Sequence, residues 1–380
     1  PILLDYLTEI ILVLLATLIS GELALRIQLP RVVGQIAAGI ILGPLLLNLV
    51  HLDQMISNFA DLGIIILMMI AGLECDFKEV TKHLKAASII AVGGVVLPLT
   101  AFWCLGMALQ QTTQEAILWG VIFSATSVSI TVAVLQEMGK LKTTAGAIIL
   151  GAAVVDDVIS IILLSAFSSI YTSKSTNLLV IIGLQLIYVA LVYVMFKWLV
   201  PEIIKIVIHF QSLSLTITVG LLICFGMAEL AELCHLSSVL GAFVAGVSLA
   251  RTPVKRDISK QIEILGSSFL IPFFFVSIGL ELKLITNWHG VLIVVLMTII
   301  AVLTKWIGCG VGAKLCQIDF KDANVIGIGM ISRGEMALIV AQVAISSHLL
   351  SSELYSEIIL VIILTTVISP ILLKYVLVKW

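Results

Sequence analysis

The chain has 380 residues, 61% of them hydrophobic and 12% charged, with a formal net charge of −2 and a mean hydropathy of +1.22. A water-soluble domain carries about 25% charged residues, so this composition excludes a water-facing exterior and requires a lipid-facing one. No basic or acidic tail points to a nucleic-acid partner, and long unbroken apolar runs such as 89–105 and 178–196 exclude the alternating pattern of a β-barrel.

A membrane crossing needs about 20 apolar residues. Dividing the chain at polar, Gly and Pro clusters predicts an all-α polytopic membrane protein of thirteen transmembrane helices. They lie near 3–20, 30–49, 58–75, 84–108, 114–136, 143–170, 176–199, 212–230, 236–250, 263–281, 288–311, 322–347 and 354–376. The first stretch follows no basic segment and no Ala-x-Ala cleavage site, so it reads as a span and not a signal peptide. One set of alternate loops, with the C-terminal end, carries seventeen of the 21 Lys and Arg residues, from Arg26 and Arg31 to Lys374 and Lys379. The other set carries only Lys174 and Lys283. Basic loops face the cytoplasm, so the N-terminus is expected outside the cell membrane and the C-terminus inside. Lys305 and Arg333, the two remaining cations, fall within predicted spans. The six cysteines form no CxxC pair and read as small buried apolar residues.

An internal repeat runs at a constant offset of 207 residues. Residues 33–42 align with 240–249, with Gly34, Ala38, Gly39 and Leu42 matched by identical residues. Gly72-Leu73-Glu74 aligns with Gly279-Leu280-Glu281, and Ala125-Thr126-Ser127 falls opposite Ser332-Arg333-Gly334. The offset spans seven predicted helices, an odd number, so the halves enter the membrane from opposite sides. This predicts two inverted six-helix repeats joined by one helix, an architecture of secondary transporters with a midplane site at the repeat interface.

Intramembrane charge marks candidate chemistry. Asp156 and Asp157 sit near the centre of the sixth span, about 100° apart around the helix, so they point different ways. A carboxylate can ligate a hard cation or accept a proton, and competition between the two is the minimum machinery of an antiporter. Lys305 in the eleventh span needs a counter-ion, and Asp156 is the chosen candidate. The positions equivalent to Asp156 and Lys305 at the repeat offset are Ile363 and Pro98, so the frame is duplicated and the charges are not. Polar breaks at 124–129 and 332–335 predict two interrupted crossing helices. Thr126 and Ser127 offer oxygens to a cation, while Arg333 and Glu335 are read as compensating the ends of the broken helices. A channel would need a carbonyl filter or charged rings, and an aspartyl protease would need its two acids on different helices. Neither pattern is present in the sequence.

The double aspartate 156–157, the Ala-Thr-Ser break at 125–127, Lys305 and the Arg-Gly-Glu at 333–335 together resemble the bacterial monovalent cation/proton antiporter superfamily, close to its NapA type. The resemblance covers nearly the whole chain. It implies a homodimer in which 1–75 and 212–281 form a dimerisation domain, 84–170 and 288–376 a core ion-transport domain, and 176–199 a linking helix. The core would slide against the dimerisation domain in elevator-like alternating access. Na+ (or Li+) would bind at Asp157, helped by Thr126, Ser127 and Asp156, and Lys305 would pair with Asp156 in the cation-free state. The Asp-Asp form with this lysine resembles the electrogenic branch, which moves more protons than sodium ions. A K+/H+ antiporter with the same fold and site is the alternative, since cavity size and ligand field set selectivity. No cofactor and no nucleotide is expected, and membrane lipid is the expected surrounding.

Overall fold

The computed structural model describes residues 2–74, 77–171, 178–236, 238–282, 287–334, 337–338, 340–341, 344 and 349–379. Among them the regular structure is entirely helical. In chain order the helices are α1 (Ile2–Arg26), α2 (Arg31–Leu42), α3 (Gln54–Glu74), α4 (Phe77–Lys82), α5 (Leu84–Ala108), α6 (Thr113–Ser124), α7 (Val128–Glu137), α8 (Thr144–Tyr171) and α9 (Leu178–Val194). They continue with α10 (Val200–His209), α11 (Leu213–Leu233), α12 (Ser238–Ala250), α13 (Lys255–Leu265), α14 (Ile271–Leu280), α15 (Trp288–Leu315), α16 (Phe320–Gly329) and α17 (Ser352–Lys379). Polar residues at the turns start several of them. Thr112 and Glu115 close a capping box at α6, and Asn287 and Asp319 accept backbone N–H groups at α15 and α16.

Nine helices of the described residues are long and apolar enough to cross a membrane. The other four stretches of the expected thirteen are of two kinds. Two are short apolar helices, α2 and α12. Two are interrupted: α6 and α7 are separated at 125–127, and α16 ends at Gly329 before the non-helical residues 331–334.

Two expected boundaries move. The stretch read as 176–199 continues without a break through α10 to His209, and the one read as 263–281 begins at Lys255. In each case a π-helical turn, Met195–Leu199 or Gly266–Leu270, directly precedes a proline at the second position of the next helix, Pro201 or Pro272. A proline ring clashes with the carbonyl four residues back. A π turn widens the backbone there and lets the helix continue. Of the described cysteines, Cys224, Cys234 and Cys309 are buried as expected, whereas Cys104 is exposed and Cys316 partly so. Cys104 lies on the outward face of α5, where a small apolar side chain meets lipid as readily as protein.

The helices pack in two groups. Contacts link α1, α2, α3, α11, α12 and α14, and a second set links α5, α6, α8, α15, α16 and α17. α9 runs beside α8, and α10 beside α11. The first group is held by backbone-to-backbone crossings at glycine. A Cβ at Gly39 of α2 would fall on the Val276 carbonyl and within 3.0 Å of the Gly279 Cα, while one at Gly246 of α12 would fall on the Met69 carbonyl and within 3.0 Å of the Gly72 Cα. These crossings are the same contact written twice, because adding 207 converts Gly39 to Gly246 and Gly72 to Gly279. The Ser20 carbonyl against Gly34 is repeated by the Met227 carbonyl against Gly241, and Leu99 against Gly120 by Trp306 against Gly327. Gly63 abuts the Leu270 carbonyl, a pair that the offset maps onto itself. Reciprocal contacts of this kind are what a two-fold axis between the repeats requires.

Overpacking a filled contact costs about 1–3 kcal/mol or more, and here the obstacle is backbone. Gly39→Val and Gly246→Val are each expected to lower the melting temperature of the detergent-purified protein, and by similar amounts. Gly183→Ala, where a Cβ meets nothing within 4 Å, should be neutral or stabilising, as alanine is in a helix. An unchanged melting temperature for either valine variant would contradict the crossing.

Candidate ion-binding site

Asp156 lies near the middle of α8 and is 1% exposed. Lys305 lies in the middle of α15 and is fully buried. Its Nζ donates to Asp156 Oδ1 at 3.3 Å. Space for the lysine comes from glycines. Gly93 and Gly308 bring α5 and α15 into backbone contact, and a Cβ on Gly94 would collide with Cys309 Sγ and lie 3.4 Å from Lys305 Nζ. A lone ammonium or carboxylate in this environment would cost several kcal/mol, so each group makes the other's burial tolerable. Ser160 stands one turn after Asp156 on the same face of α8. It is 2% exposed, and its hydroxyl has no hydrogen-bond partner among the described residues.

The second part of the site is a crossing of two non-helical segments. The chain leaves α6 at Ala125 (φ −63°, ψ 146°) and re-enters a helix after Ser127 (φ −99°, ψ 112°). The Ser127 N–H donates to the Ser332 carbonyl at 2.8 Å. Gly334 packs so closely against Ser127 that a Cβ would lie 2.5 Å from its Oγ. Arg333, fully buried, donates from Nε to the Phe123 carbonyl at 3.1 Å and from an Nη to the Ile331 carbonyl at 2.6 Å. Phe123 is in the last turn of α6, and Ile331 follows the end of α16. The guanidinium therefore sits at two helix C-termini, where the dipoles place partial negative charge. Among the described residues, Thr126 Oγ1 and Ser332 Oγ are buried here without a hydrogen-bond partner.

The residues marked in the sequence thus fall into two clusters: Asp156 with Lys305, and Thr126 and Ser127 with Ser332 and Arg333. Asp157 belongs to α8, but its side chain lies outside the described residues, as does Glu335 entirely. Three hydroxyls that the sequence reading passed over also serve the crossing. Thr131 donates to the Gly329 carbonyl, Thr366 to the Arg333 carbonyl at 2.6 Å, and Ser369 to the Ile328 carbonyl at 3.3 Å. Their signal was present as hydroxyl residues within apolar spans, including the Ser369-Pro370 step.

The chemistry of this donor set is carboxylate and hydroxyl oxygen, which suits a hard cation. The comparisons with known proteins agree with that chemistry. Residues 10–379 match the sodium/hydrogen exchanger transmembrane family. A Na+/H+ antiporter of Enterococcus hirae is 39% identical over 374 residues, covering 98% of both chains. The Na+/H+-K+ antiporter GerN of Bacillus cereus is 35% identical over 372 residues, covering 98% of this chain and 96% of its own. The fold resembles that of the sodium proton antiporter MjNhaP1 of Methanocaldococcus jannaschii, with a TM-score of 0.74 at 18% identity over 99% of this chain and 98% of that one. The chain belongs to the sodium/hydrogen exchanger family, a family of multi-pass membrane transporters.

Removing one member of a buried ion pair typically costs about 3–5 kcal/mol, because the other is left uncompensated. Lys305→Gln and Asp156→Asn are each expected to lower the melting temperature clearly. The double variant should cost less than the two single changes summed. Strict additivity in that cycle would show that the two groups do not interact.

Proposed function

We propose that this protein exchanges Na+ (or Li+) for H+ across the cell membrane and is electrogenic. The observation that carries the reading is the buried Lys305–Asp156 pair on helices packed around a crossing of two broken helices. Asp157 and Asp156 take either a cation or protons, with Thr126 and Ser127 completing the oxygen shell. A cation arriving at the carboxylates competes with Lys305 for Asp156. Lys305 then no longer needs to remain an ammonium ion and can release its proton, which links the coming of one ion to the departure of the other. The crossing supplies a rigid floor of neutral dipoles, and Arg333, with Glu335 expected beside it, balances the helix ends.

Alternating access is proposed as an elevator movement, in which the 84–170 and 288–376 parts carry the site past a dimerisation part made of 1–75 and 212–281. The helix from 176 links the two. Two helix groups, each with glycine crossings inside it, support this division. The distribution of basic loops supports an N-terminus outside the cell and a C-terminus in the cytoplasm. A homodimer is the proposed assembly. K+/H+ exchange at the same site is the second reading, favoured by the likeness to the Na+/H+-K+ antiporter GerN of Bacillus cereus.

The test is exchange in proteoliposomes. Addition of Na+ or Li+ should drive H+ out of an acid-loaded lumen, faster when a membrane voltage favours net charge movement. A response to K+ alone would transfer the function to the second reading, and no response to any of the three cations would refute both. Asp157→Asn should abolish exchange, and full activity in that variant would remove Asp157 from the site. Because the same oxygens hold cation or proton, the KM for Na+ should rise roughly tenfold for each pH unit lowered, per competing proton. A pH-independent KM over the acid range would refute competition at a shared site.

A further inference from the structure

A cavity of about 960 Å³ opens on the opposite side of α8 from the ion pair. Its walls come from several elements, among them Val154 of α8, Val192 of α9, Ile204 of α10 and Val247 of α12. Its rim carries Lys197, Lys205 and Arg251, and no Asp or Glu lines it. Lys205 is paired with Glu202 at 2.6 Å. Lys197 instead lies over the rings of Tyr193 and Trp198 and donates to the Tyr193 hydroxyl, and Arg251 lies over the ring of Phe196. Tyr193 and Trp198 are largely exposed. Tyr, Trp, Lys and Arg gathered on one stretch mark the depth of lipid headgroups, and the apolar walls run inward from it. Beyond the rim, Lys255, Arg256 and Lys260, together with Glu263, line a shallow second depression that shares Pro253 with the cavity.

An apolar interior would hold hydrocarbon and reject an ion, and the two rim cations that are not paired with an acid among the described residues, Lys197 and Arg251, would hold an anion. The two requirements together describe one molecule. We infer that this cavity is a binding site for an anionic membrane phospholipid, with its acyl chains between α8, α9 and α12 and its phosphate between Lys197 and Arg251. Basic pockets between membrane helices recognise anionic headgroups by this combination of charge and depth. The two cations are available because their only interactions among the described residues are with aromatic rings and a tyrosine hydroxyl, which a phosphate can add to without breaking an ion pair. The site stands independently of the transport reading, since nothing in it involves Asp156 or Lys305.

The test uses the full-length protein, stripped of lipid in detergent. Phosphatidylglycerol should raise its melting temperature by several degrees more than phosphatidylcholine of the same chains, and should be retained in native mass spectra. In Lys197→Gln/Arg251→Gln the preference for phosphatidylglycerol should vanish. In Val192→Trp, which fills the interior and leaves the rim intact, the response to both lipids should fall. Lys140→Gln/Lys142→Gln, which removes two basic residues from another loop, should behave as wild type. An equal response of wild type to the two lipids would overturn headgroup recognition. A phosphatidylglycerol preference that survives both the rim and the interior variants would place the lipid elsewhere. Glycerol 3-phosphate alone reproducing the full shift would show a free-phosphate site and overturn the role of the acyl chains.

Discussion

Within an apolar bundle every backbone N–H and C=O needs a partner, because no water is at hand to supply one. Helices meet the requirement internally, and the two non-helical segments at 125–127 and 331–334 do not. The structure around them follows from that deficit. Each segment lends a group to the other, Ser127 N–H to the Ser332 carbonyl. Arg333 takes up carbonyls at the ends of α6 and α16, and the hydroxyls of Thr131, Thr366 and Ser369 reach the carbonyls of Gly329, Arg333 and Ile328. The helices α7 and α17 must lie where those hydroxyls can reach, so the placement of whole elements is tied to satisfying a few backbone atoms. What is left over is informative: among the described residues, Thr126 Oγ1, Ser332 Oγ and one Nη of Arg333 remain buried and without a hydrogen-bond partner at the crossing.

Stability alone does not explain the Lys305–Asp156 pair. Well-packed apolar residues in place of a buried ion pair are often as stable or more so. The repeat supplies the comparison within the same chain. At the positions related by the offset stand Pro98 and Ile363, and the frame is built there without charge. The close approach of α5 and α15 through Gly93, Gly94 and Gly308 admits a lysine from one helix to a pocket bounded by the other. A symmetric scaffold with an asymmetric charge pair is the mark of a site added to a frame.

The fold was legible in the sequence where identity had a steric cause. Gly34, Gly39 and Gly72 match Gly241, Gly246 and Gly279 because each sits where two backbones touch, and any Cβ would part them. Helix ends were less legible. Pro201 reads as a terminator and Lys255–Leu265 as a polar loop, since the π turns that let both helices continue have no sequence pattern of their own. The ion pair could be read because a mid-membrane lysine demands an acid and few were on offer. Thr131, Thr366 and Ser369 could not. A hydroxyl in a membrane helix ordinarily bonds its own backbone, as Thr366 also does with the Ile362 carbonyl at 2.8 Å. Only the tertiary crossing gives it a second carbonyl.

The geometry of α8 joins these observations. Val154 and Asp156 are two residues apart, about 200° around the helix, so one faces the lipid-sized cavity while the other faces Lys305. A single helix thus separates a dry ion pair from a hydrocarbon-lined space shared with α9 and α12. In the proposed elevator movement α8 travels with the ions and α12 stays behind. The cavity between them must then change shape in each cycle, and whatever fills it bears on the same helix that holds the carboxylates. Lipid composition would act on turnover through this wall without touching the ion ligands, and the effect would be on the rate of movement and not on cation affinity.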